Sequence, residues 1–367
     1  MFLNNSNAEE AEDCLRKRFW SKEYNSTGLQ SVYKDDNLEF GTLVHLGLGA
    51  FYSGDSNFVD TTKRAAREHL KLDTLYFDDR NKWIDHIDWI GRILTAYEPW
   101  AKANDDFVPI QIETEGCVVL GEICYLCGDP YPCTDEPEKL LVCPSCEIEI
   151  HHWVFRIDMA VNKGEHAPKI NIVDHKTTSS LGENYLLGWH NSLQLWGYCY
   201  GFAKQSGLEV GGYFVNILRK LKSIGELENP EKACPACKNG VRKRVGCLTC
   251  NGAGKVPREV KDDVPFVREY EPWNEYKSEI FVRQRVNIAN RILQERKLFK
   301  DERTRDEAWP MNPKACFKMG RCPFWKLCYT PRDPEKWYEP EEEQLANFEP
   351  RPPDYVSIKQ LAREEMV

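Results

Sequence analysis

The chain has 367 residues, of which 41% are hydrophobic and 29% are charged, so the composition predicts a packed globular core and excludes wholesale disorder. This length corresponds to one large core with insertions or to two or three domains. The net charge of −9 excludes a surface that is basic throughout, although it is compatible with a local basic groove for nucleic acid.

The predicted helices share apolar residues at helical spacing and cover 41–54, 60–103 with a loop near Asp73, 183–205 and 273–299. The predicted strands are rich in alternating or β-branched residues and cover 107–120, 152–161, 169–178 and 210–218. Their order, αβββαβα, predicts an α/β (α+β) fold with a mixed central sheet. The segment after Thr330 is rich in Pro and Glu, and we expect it to be extended or partly disordered apart from a short helix near 358–365.

Clustered cysteines interrupt these elements and divide the chain into five predicted regions. They are an N-terminal helical region, a core with an inserted cysteine ribbon, a second cysteine insertion, a C-terminal helix with further cysteines, and an acidic, proline-rich tail. Their bounds are 1–106, 107–218 with the ribbon at 121–150, 219–262, 263–330 and 331–367. No apolar run reaches the roughly 18 residues of a membrane span, and the first residues do not resemble a signal peptide. We expect a soluble, cytoplasmic protein with no membrane partner.

Fifteen cysteines in a chain without an export signal predict thiolate ligands for metals rather than disulfides. Two C-x-x-C pairs lie between two predicted strands, at a separation that allows four thiolates to surround one Zn²⁺ tetrahedrally. The proposed ligands are Cys124, Cys127, Cys143 and Cys146. Nearby substitutes, if one of these is not a ligand, are Cys133, His151 and His152.

A second set of knuckles resembles, over about twenty residues, the C-x-x-C-x-G-x-G zinc centre of DnaJ-type chaperones. It predicts a second structural zinc site rather than a chaperone function. The basic run 242–244 between the knuckles is either a solvated face or a phosphate contact. The ligands of this second site are Cys234, Cys237, Cys247 and Cys250.

A third group, Cys316, Cys322 and Cys328, needs a fourth ligand, and Cys14 is the best unpaired candidate. Spacing alone allows either an iron–sulfur cluster or zinc. Such a site joins the two ends of the chain, so it restricts the unfolded chain and has a structural role. The cysteines left over are Cys117, Cys133 and Cys199.

Acidic residues and a lysine stand at the ends of two predicted strands. Asp158 ends one strand, and Asp174 and Lys176 lie two residues apart on the next, so they share one strand face. Two carboxylates that converge with a lysine can hold a divalent cation, lower the pKa of a bound water and stabilise charge on a phosphate. Glu113 or Glu115 on the first strand is a candidate for a further acidic group.

Taken in order, these motifs resemble the PD-(D/E)xK nuclease superfamily, and specifically its RecB-like branch with AddB-type and CRISPR-adaptation exonucleases. The resemblance covers most of 10–330 and implies an αβββαβ, restriction-endonuclease-like core with the two zinc motifs inserted. Gly41-Thr-Leu-Val-His45 resembles the upstream histidine motif of that branch, and Gln194-Leu-Trp-Gly-Tyr198 resembles its helical motif, with Gln and Tyr on one helix face.

The resemblance implies Mg²⁺ or Mn²⁺ bound by His45, Asp158 and Asp174, and a catalytic group of Asp158, Asp174, Lys176, Gln194 and Tyr198. It also implies a 4Fe–4S cluster on Cys14, Cys316, Cys322 and Cys328. Two features depart from the pattern. Five residues separate Cys316 from Cys322 where AddB-type proteins have two, and an Asp stands at 174 where Glu is commoner.

The function implied is a metal-dependent DNA nuclease, acting as an exonuclease on single strands or DNA ends in recombination, repair or replication. A helicase or recombination protein is its candidate partner, in the cytoplasm of a bacterium or of a virus-infected cell. Two alternatives stay open. One is a non-catalytic, zinc-containing nucleic-acid-binding protein on a nuclease scaffold, and the weaker one is a zinc-dependent chaperone.

Each site residue also has a structural alternative. His45 can be a core or surface histidine, and the two aspartates can be buried partners of Arg156 and Lys176. Gln194 and Tyr198 can simply cap and pack a helix.

Overall fold

The computed structural model describes residues 1–32, 36–71, 77–132, 141–163, 169–221, 231–233, 255–257, 265–318, 321–329 and 333–351. The cysteines of the second predicted zinc site, Cys133, the basic run 242–244, Asp73 and the predicted helix near 358–365 lie outside these residues. No described helix is long and apolar enough to cross a membrane.

The helices are α1 (Asn5–Asp13), α2 (Leu15–Arg18), α3 (Asp36–Tyr52), α4 (Phe58–His69), α5 (Phe77–Asn104), α6 (Glu183–His190), α7 (Leu193–Ser206), α8 (Glu275–Lys300), α9 (Trp325–Tyr329) and α10 (Glu342–Leu345). The strands are β1 (Phe2–Leu3), β2 (Leu29–Ser31), β3 (Val108–Val119), β4 (His152–Asn162), β5 (Ile170–Thr178), β6 (Val210–Arg219), β7 (Glu231–Ala233), β8 (Lys255–Pro257), β9 (Phe266–Pro272) and β10 (Phe348–Pro350). Shorter helical turns cover Phe19–Glu23, Tyr24–Ser26, Pro313–Phe317 and Pro334–Lys336.

Capping residues fix the ends of the two helices that follow the sheet strands. The Ser192 side chain accepts a hydrogen bond from the N–H of Leu195 at the start of α7, and Gly207 ends that helix with a φ of 69°. The Asn274 side chain accepts from the N–H of Lys277 and starts α8 in the same way. Local sequence signals therefore mark both ends of α7 and the start of α8.

The central sheet is mixed, as expected for this α/β fold, and among the described residues it contains six strands. β3, β4 and β5 are successive antiparallel neighbours, β5 and β6 are parallel, and β9 pairs antiparallel with β6. The parallel pair requires a crossover connection, which α6 and α7 supply. The predicted order of helices and strands is confirmed, while β1, β2, β7, β8, β9 and β10 are additional strands that periodicity did not reveal.

β4 and β5 separate part of the way along their length. Their ladder runs only from the pair Asn162 and Ile170 to the pair Met159 and Val173. At the opposite end of β4, the strand β1 pairs with β4 in parallel, and Phe2 lies opposite His152. Because β3 occupies one edge of β4 throughout, β1 and β5 share the opposite edge. We call the gap between β4 and β5, which opens beyond Met159 and Val173, the fork.

Apolar side chains cover both faces of the sheet. One face packs against α7, α8 and the N-terminal helices, with Trp153, Ile172 and Phe281 among its buried residues. The helices α3, α4 and α5 form a second cluster, which reaches the sheet at Leu218 and Phe266. The fork therefore lies between two helical layers.

Part of the C-terminal segment, which we expected to be extended or partly disordered, packs against the N-terminal region. β10 pairs antiparallel with β2, and Trp337 is only 3% exposed. Its ring makes edge contacts with Phe19, and the Arg16 guanidinium lies 3.3 Å from its centroid. A few aromatic residues in a charged segment are enough to hold it, because each buries a large apolar area.

Candidate active site and metal centres

The fork brings the two predicted aspartates together. Asp158 precedes Met159 on β4 and Asp174 follows Val173 on β5, so both stand one residue beyond the last paired residues of these strands. The backbone N–H of His175 donates to Asp158 Oδ2 at 2.7 Å. The Asp158 carboxylate thus accepts the hydrogen bond that a backbone carbonyl of β4 would accept if the β4–β5 ladder continued.

Helix α3 brings His45 to the same place. Its Nδ1 lies 3.2 Å from Asp158 Oδ1. Burial lowers the pKa of His45, but the neighbouring Asp158 carboxylate outweighs burial and raises the pKa above its usual value. The histidine expected from sequence therefore contacts the expected aspartate.

Lys176 connects β5 to α7. Its Nζ lies 2.8 Å from Asp174 Oδ2 and donates to Gln194 Oε1 at 3.1 Å. Gln194 Nε2 in turn donates to the Tyr198 hydroxyl at 2.8 Å, one helical turn farther along α7. The glutamine and tyrosine therefore belong to the same hydrogen-bonded chain as the lysine.

A glycine allows α7 to approach the sheet this closely. A Cβ at Gly197 would lie 2.5 Å from the Trp153 ring on β4, and the Trp153 indole donates to the Gly197 carbonyl at 3.0 Å. Gly197 sits between Gln194 and Tyr198 in the sequence. This close approach of α7 to β4 helps to position the side chains of Gln194 and Tyr198 near Lys176.

The two buried aspartates have opposite pKa shifts. Burial raises the pKa of Asp158, but His45 and the N–H of His175 together lower it well below its usual range. Burial raises the pKa of Asp174, and the Asp158 charge raises it further against the opposing effect of Lys176. The two carboxylates therefore repel each other, and Lys176 opposes only part of the resulting rise in the pKa of Asp174.

The donor types at the fork match those that bind a divalent cation. Carboxylate oxygens are the ligands that Mg²⁺ and Mn²⁺ prefer, and the side chain of Asp174 is only 3% exposed. Donor atoms taken one from each of His45, Asp158 and Asp174 do not all lie within 4.8 Å of one another, so the three side chains would draw closer around a bound ion. A cation between the aspartates would offset their repulsion and favour the ionised form of both. His45, Asp158 and Asp174 are the residues that can hold it.

Glu113, which the sequence left as a candidate, lies on β3 beside the fork. Its backbone has a φ of 49°, a conformation that costs a non-glycine residue about 1–3 kcal/mol. Its carboxylate accepts two hydrogen bonds from Arg156, at 2.9 and 2.6 Å, and burial together with Asp158 raises its pKa. The Glu115 carboxylate lies 3.9 Å from the Arg156 guanidinium, so its interaction with Arg156 is weaker than that of Glu113.

Sequence reasoning missed a buried polar network behind His175. Asn216 Nδ2 contacts His175 Nδ1 at 2.9 Å and donates to the Tyr97 hydroxyl at 2.7 Å, and that hydroxyl lies 2.6 Å from the hydroxyl of Tyr52. Burial lowers the pKa of His175 to about 3, so this ring is neutral. The network holds the residue whose N–H binds Asp158, and no local sequence motif marks it.

The first cysteine set has the geometry of a tetrahedral metal site. Two sulfur pairs across the ribbon, Cys124 with Cys146 and Cys127 with Cys143, are 3.6 and 3.7 Å apart. A Zn–S bond of about 2.3 Å places tetrahedral sulfurs about 3.8 Å apart, whereas a disulfide needs about 2.05 Å. The four sulfurs therefore fit one metal ion, as the spacing predicted.

The two knuckles of this ribbon repeat the same backbone geometry. Gly128 and Glu147, each directly after the second cysteine of its pair, have φ values of 77° and 56°. Their N–H groups donate to the carbonyls of Cys124 and Cys143, at 3.0 and 2.8 Å. The turns therefore hold the thiol groups toward a common centre.

The third cysteine set, Cys14, Cys316, Cys322 and Cys328, also comes together in the structure, with its sulfur atoms farther apart than those of the ribbon. Cys14 and Cys316 are buried, and Asn312 donates from its N–H to Cys14 Sγ at 3.3 Å. The thiol groups of Cys322 and Cys328 interact electrostatically with Cys14. No three sulfurs of this set lie within 4.8 Å of one another. The spacing is wider than a single zinc ion requires.

A family model described as the PD-(D/E)XK nuclease superfamily matches residues 3–329. No curated protein matches the chain at a significant level. A solved structure described as "Crystal structure of SSO0001" is 12% identical and covers 70% of this chain and 77% of that chain, with a TM-score of 0.24.

Proposed function

The chain belongs to the PD-(D/E)XK nuclease superfamily, and we propose that it is a RecB-like, metal-dependent exonuclease that hydrolyses phosphodiester bonds of single-stranded DNA or DNA ends. One observation carries this proposal. At the fork, two buried carboxylates, a histidine and a lysine form one connected group. Within a nuclease superfamily, that chemistry suits attack of water on a phosphate.

We assign the divalent cation, Mg²⁺ or Mn²⁺, to His45, Asp158 and Asp174. Once bound, it lowers the pKa of the attacking water and offsets charge on the scissile phosphate. Burial lowers the pKa of Lys176, but Asp174 outweighs burial and raises it above its usual value. Lys176 is therefore protonated and acts by orienting the water and donating a hydrogen bond.

Gln194 and Tyr198 position this lysine and face the substrate. Burial raises the pKa of Tyr198 well above its usual value, so its hydroxyl stays neutral and can donate to a phosphate oxygen. Gln194 accepts from Lys176 and donates to Tyr198, which leaves the lysine few alternative orientations. Preorganised donors of this kind stabilise charge that develops during the reaction.

The preference for single strands or ends rests on charge. A net charge of −9 disfavours a protein that coats a duplex over a broad surface, whereas a strand in a confined groove needs only a few cations. We expect the protein to act in recombination, repair or replication, in a reducing cytoplasm that preserves its thiol groups. A helicase or recombination protein is the partner that would supply single strands.

We propose Zn²⁺ for the ribbon Cys124, Cys127, Cys143 and Cys146, and a 4Fe–4S cluster for Cys14, Cys316, Cys322 and Cys328. The ribbon sulfurs, 3.6 and 3.7 Å apart, support zinc there, because one tetrahedral ion needs close sulfurs. The iron–sulfur assignment rests on the resemblance of the Cys14, Cys316, Cys322 and Cys328 pattern. A second zinc site at Cys234, Cys237, Cys247 and Cys250 stays a prediction from spacing.

Cleavage assays test the function. Linear end-labelled and circular single-stranded DNA are incubated with the protein and Mg²⁺ or Mn²⁺. We expect the wild type to degrade the linear strand and spare the circle. Lys176→Ala should lose the activity by about 100-fold or more, since removing one preorganised hydrogen-bond donor costs about 10²–10³ in kcat.

Lys204→Ala is the matched control, because Lys204 pairs with the exposed Glu122 on the surface and should be dispensable. Equal degradation by wild type and Lys176→Ala would refute the proposal. Metal-independent binding without cleavage would instead support the non-catalytic alternative.

A further inference from the structure

An aromatic surface borders the catalytic lysine. It consists of Tyr185 and Trp189 on α6, a helix with no fully buried residue. The Trp189 ring centroid lies 5.2 Å from Lys176 Nζ, and the Tyr185 ring meets it edge-on at 5.6 Å. Both rings are half-buried, so one part packs on the core and another part faces solvent.

The backbone beneath this surface is firmly held. The Tyr213 hydroxyl on β6 bonds the carbonyls of Trp189 and His190, at 2.8 and 3.0 Å. The His190 ring lies 2.5 Å from Glu271 on β9, which Lys277 also binds at 2.6 Å. A ring on an anchored backbone loses little conformational entropy when a flat ligand stacks on it.

We propose that Trp189, with Tyr185 beside it, is the stacking site for an unpaired base of the nucleotide next to the scissile phosphate. The proposal rests on the proposed nuclease function and identifies what makes the site select single strands. A phosphate at Lys176 places its own nucleotide beside the Trp189 ring. Aromatic rings bind bases of any sequence, because every base has a π face.

Duplex DNA cannot use this surface without unstacking. A paired base has both faces covered by its neighbours, and turning it out of the helix costs free energy. The aromatic surface therefore favours single strands, frayed ends and gaps over intact duplex. The exposed Leu187 on the same helix offers no such ring and serves as the control position.

Equilibrium binding with abasic substitutions tests this site. The binding protein is the Asp158→Asn variant, used with Mg²⁺ and fluorescent single-stranded DNA. An abasic nucleotide is moved along the strand one position at a time. We expect one position to weaken binding about 10- to 100-fold, as loss of one stacked base does.

Adding Trp189→Ala to this protein should weaken binding of the normal strand by a similar factor and make it insensitive to that abasic position. Trp189→Phe should restore the sensitivity in part, and Leu187→Ala should leave binding unchanged. If no abasic position weakens binding, or if the abasic and Trp189→Ala losses add in full, the stacking site is refuted. If Trp189→Ala does not fold, Trp189→Phe decides the matter, because its smaller ring should reduce the sensitivity to that abasic position and an unchanged sensitivity would refute the site.

These outcomes are separable from those of the nuclease assay. A wild-type chain that cuts no DNA refutes the function while the binding scan still reports on stacking. A chain that cuts single strands and duplex equally well, with or without Trp189, refutes the stacking site and leaves the nuclease function intact.

Discussion

Replacing Lys176 with methionine removes the cation beside Asp174 and keeps most of the side-chain volume. The two charged atoms are 2.8 Å apart, and the Asp174 side chain is only 3% exposed. At an effective dielectric constant of about 20, such a pair attracts by about 6 kcal/mol. Protonation of Asp174 in the variant limits the loss, because its pKa is already raised by burial and by Asp158.

Breaking a buried ion pair from one side costs about 3–5 kcal/mol. The Lys176 side chain is 19% exposed, so solvent screens part of the interaction and we expect a loss of about 3 kcal/mol in the free energy of unfolding. Asp174→Asn should cost less, about 1 kcal/mol, because Lys176 keeps its bond to Gln194 and the repulsion with Asp158 disappears.

The double variant Lys176→Met with Asp174→Asn should recover to within about 1 kcal/mol of the wild type, which gives a coupling energy of about 3 kcal/mol. Urea unfolding in buffer without Mg²⁺, Mn²⁺ or chelator measures this, since a chelator would also strip zinc. If the two single losses add in the double variant, or if Lys176→Met costs under about 1 kcal/mol, the pair does not hold the fork as argued.

Three further outcomes follow from other parts of the molecule. Cys146→Ser should lower the zinc content by about one ion per chain in elemental analysis, and an unchanged content would exclude a metal at the ribbon. Trp337→Ala should lower the free energy of unfolding in urea by about 3–5 kcal/mol because the ring is buried. Tyr276→Ala, at an exposed position, should lower it by under about 0.5 kcal/mol. Equal losses would show that the C-terminal segment does not pack against the rest of the protein. Burial lowers the pKa of His151 below 6.5, so its contribution to stability is complete above pH 6.5 and is lost as the pH falls through the lowered value. His151→Gln should therefore flatten this acid dependence of stability, and an unchanged pH profile would contradict the assignment.

Much of the fold could be predicted because its signals are local. Apolar spacing marked α3, α5 and α8, and β-branched runs marked β3, β4, β5 and β6. This was possible because the periodicity of apolar residues is a property of each segment by itself. The motif residues His45, Asp158 and Lys176 were proposed from short local motifs and from the resemblance that those motifs carry. The structure brings these residues, from α3, β4 and β5, together at the fork, while their catalytic roles stay predictions.

Pairing between distant segments was not predictable. β9 is short and polar on one side, and it becomes a strand only because β6 offers an open edge. The C-terminal segment was expected to be extended or partly disordered from its Pro and Glu content, yet Trp337 packs against Phe19 and Phe348 pairs with Ser31 on β2. The composition of a segment averages over all of its residues, whereas the packing of this segment against the N-terminal region depends on a few aromatic side chains.

The sequence by itself determined which chemical groups this protein has and in what order. It could not determine that β4 and β5 separate beyond Met159, that the N–H of His175 then binds Asp158, or that Trp189 lies beside Lys176. Those relations join residues far apart in the chain, and only the packing of two helical layers on the sheet sets their distances. Because electrostatic and hydrogen-bond energies change over ångströms, the tertiary structure decided how these groups act together.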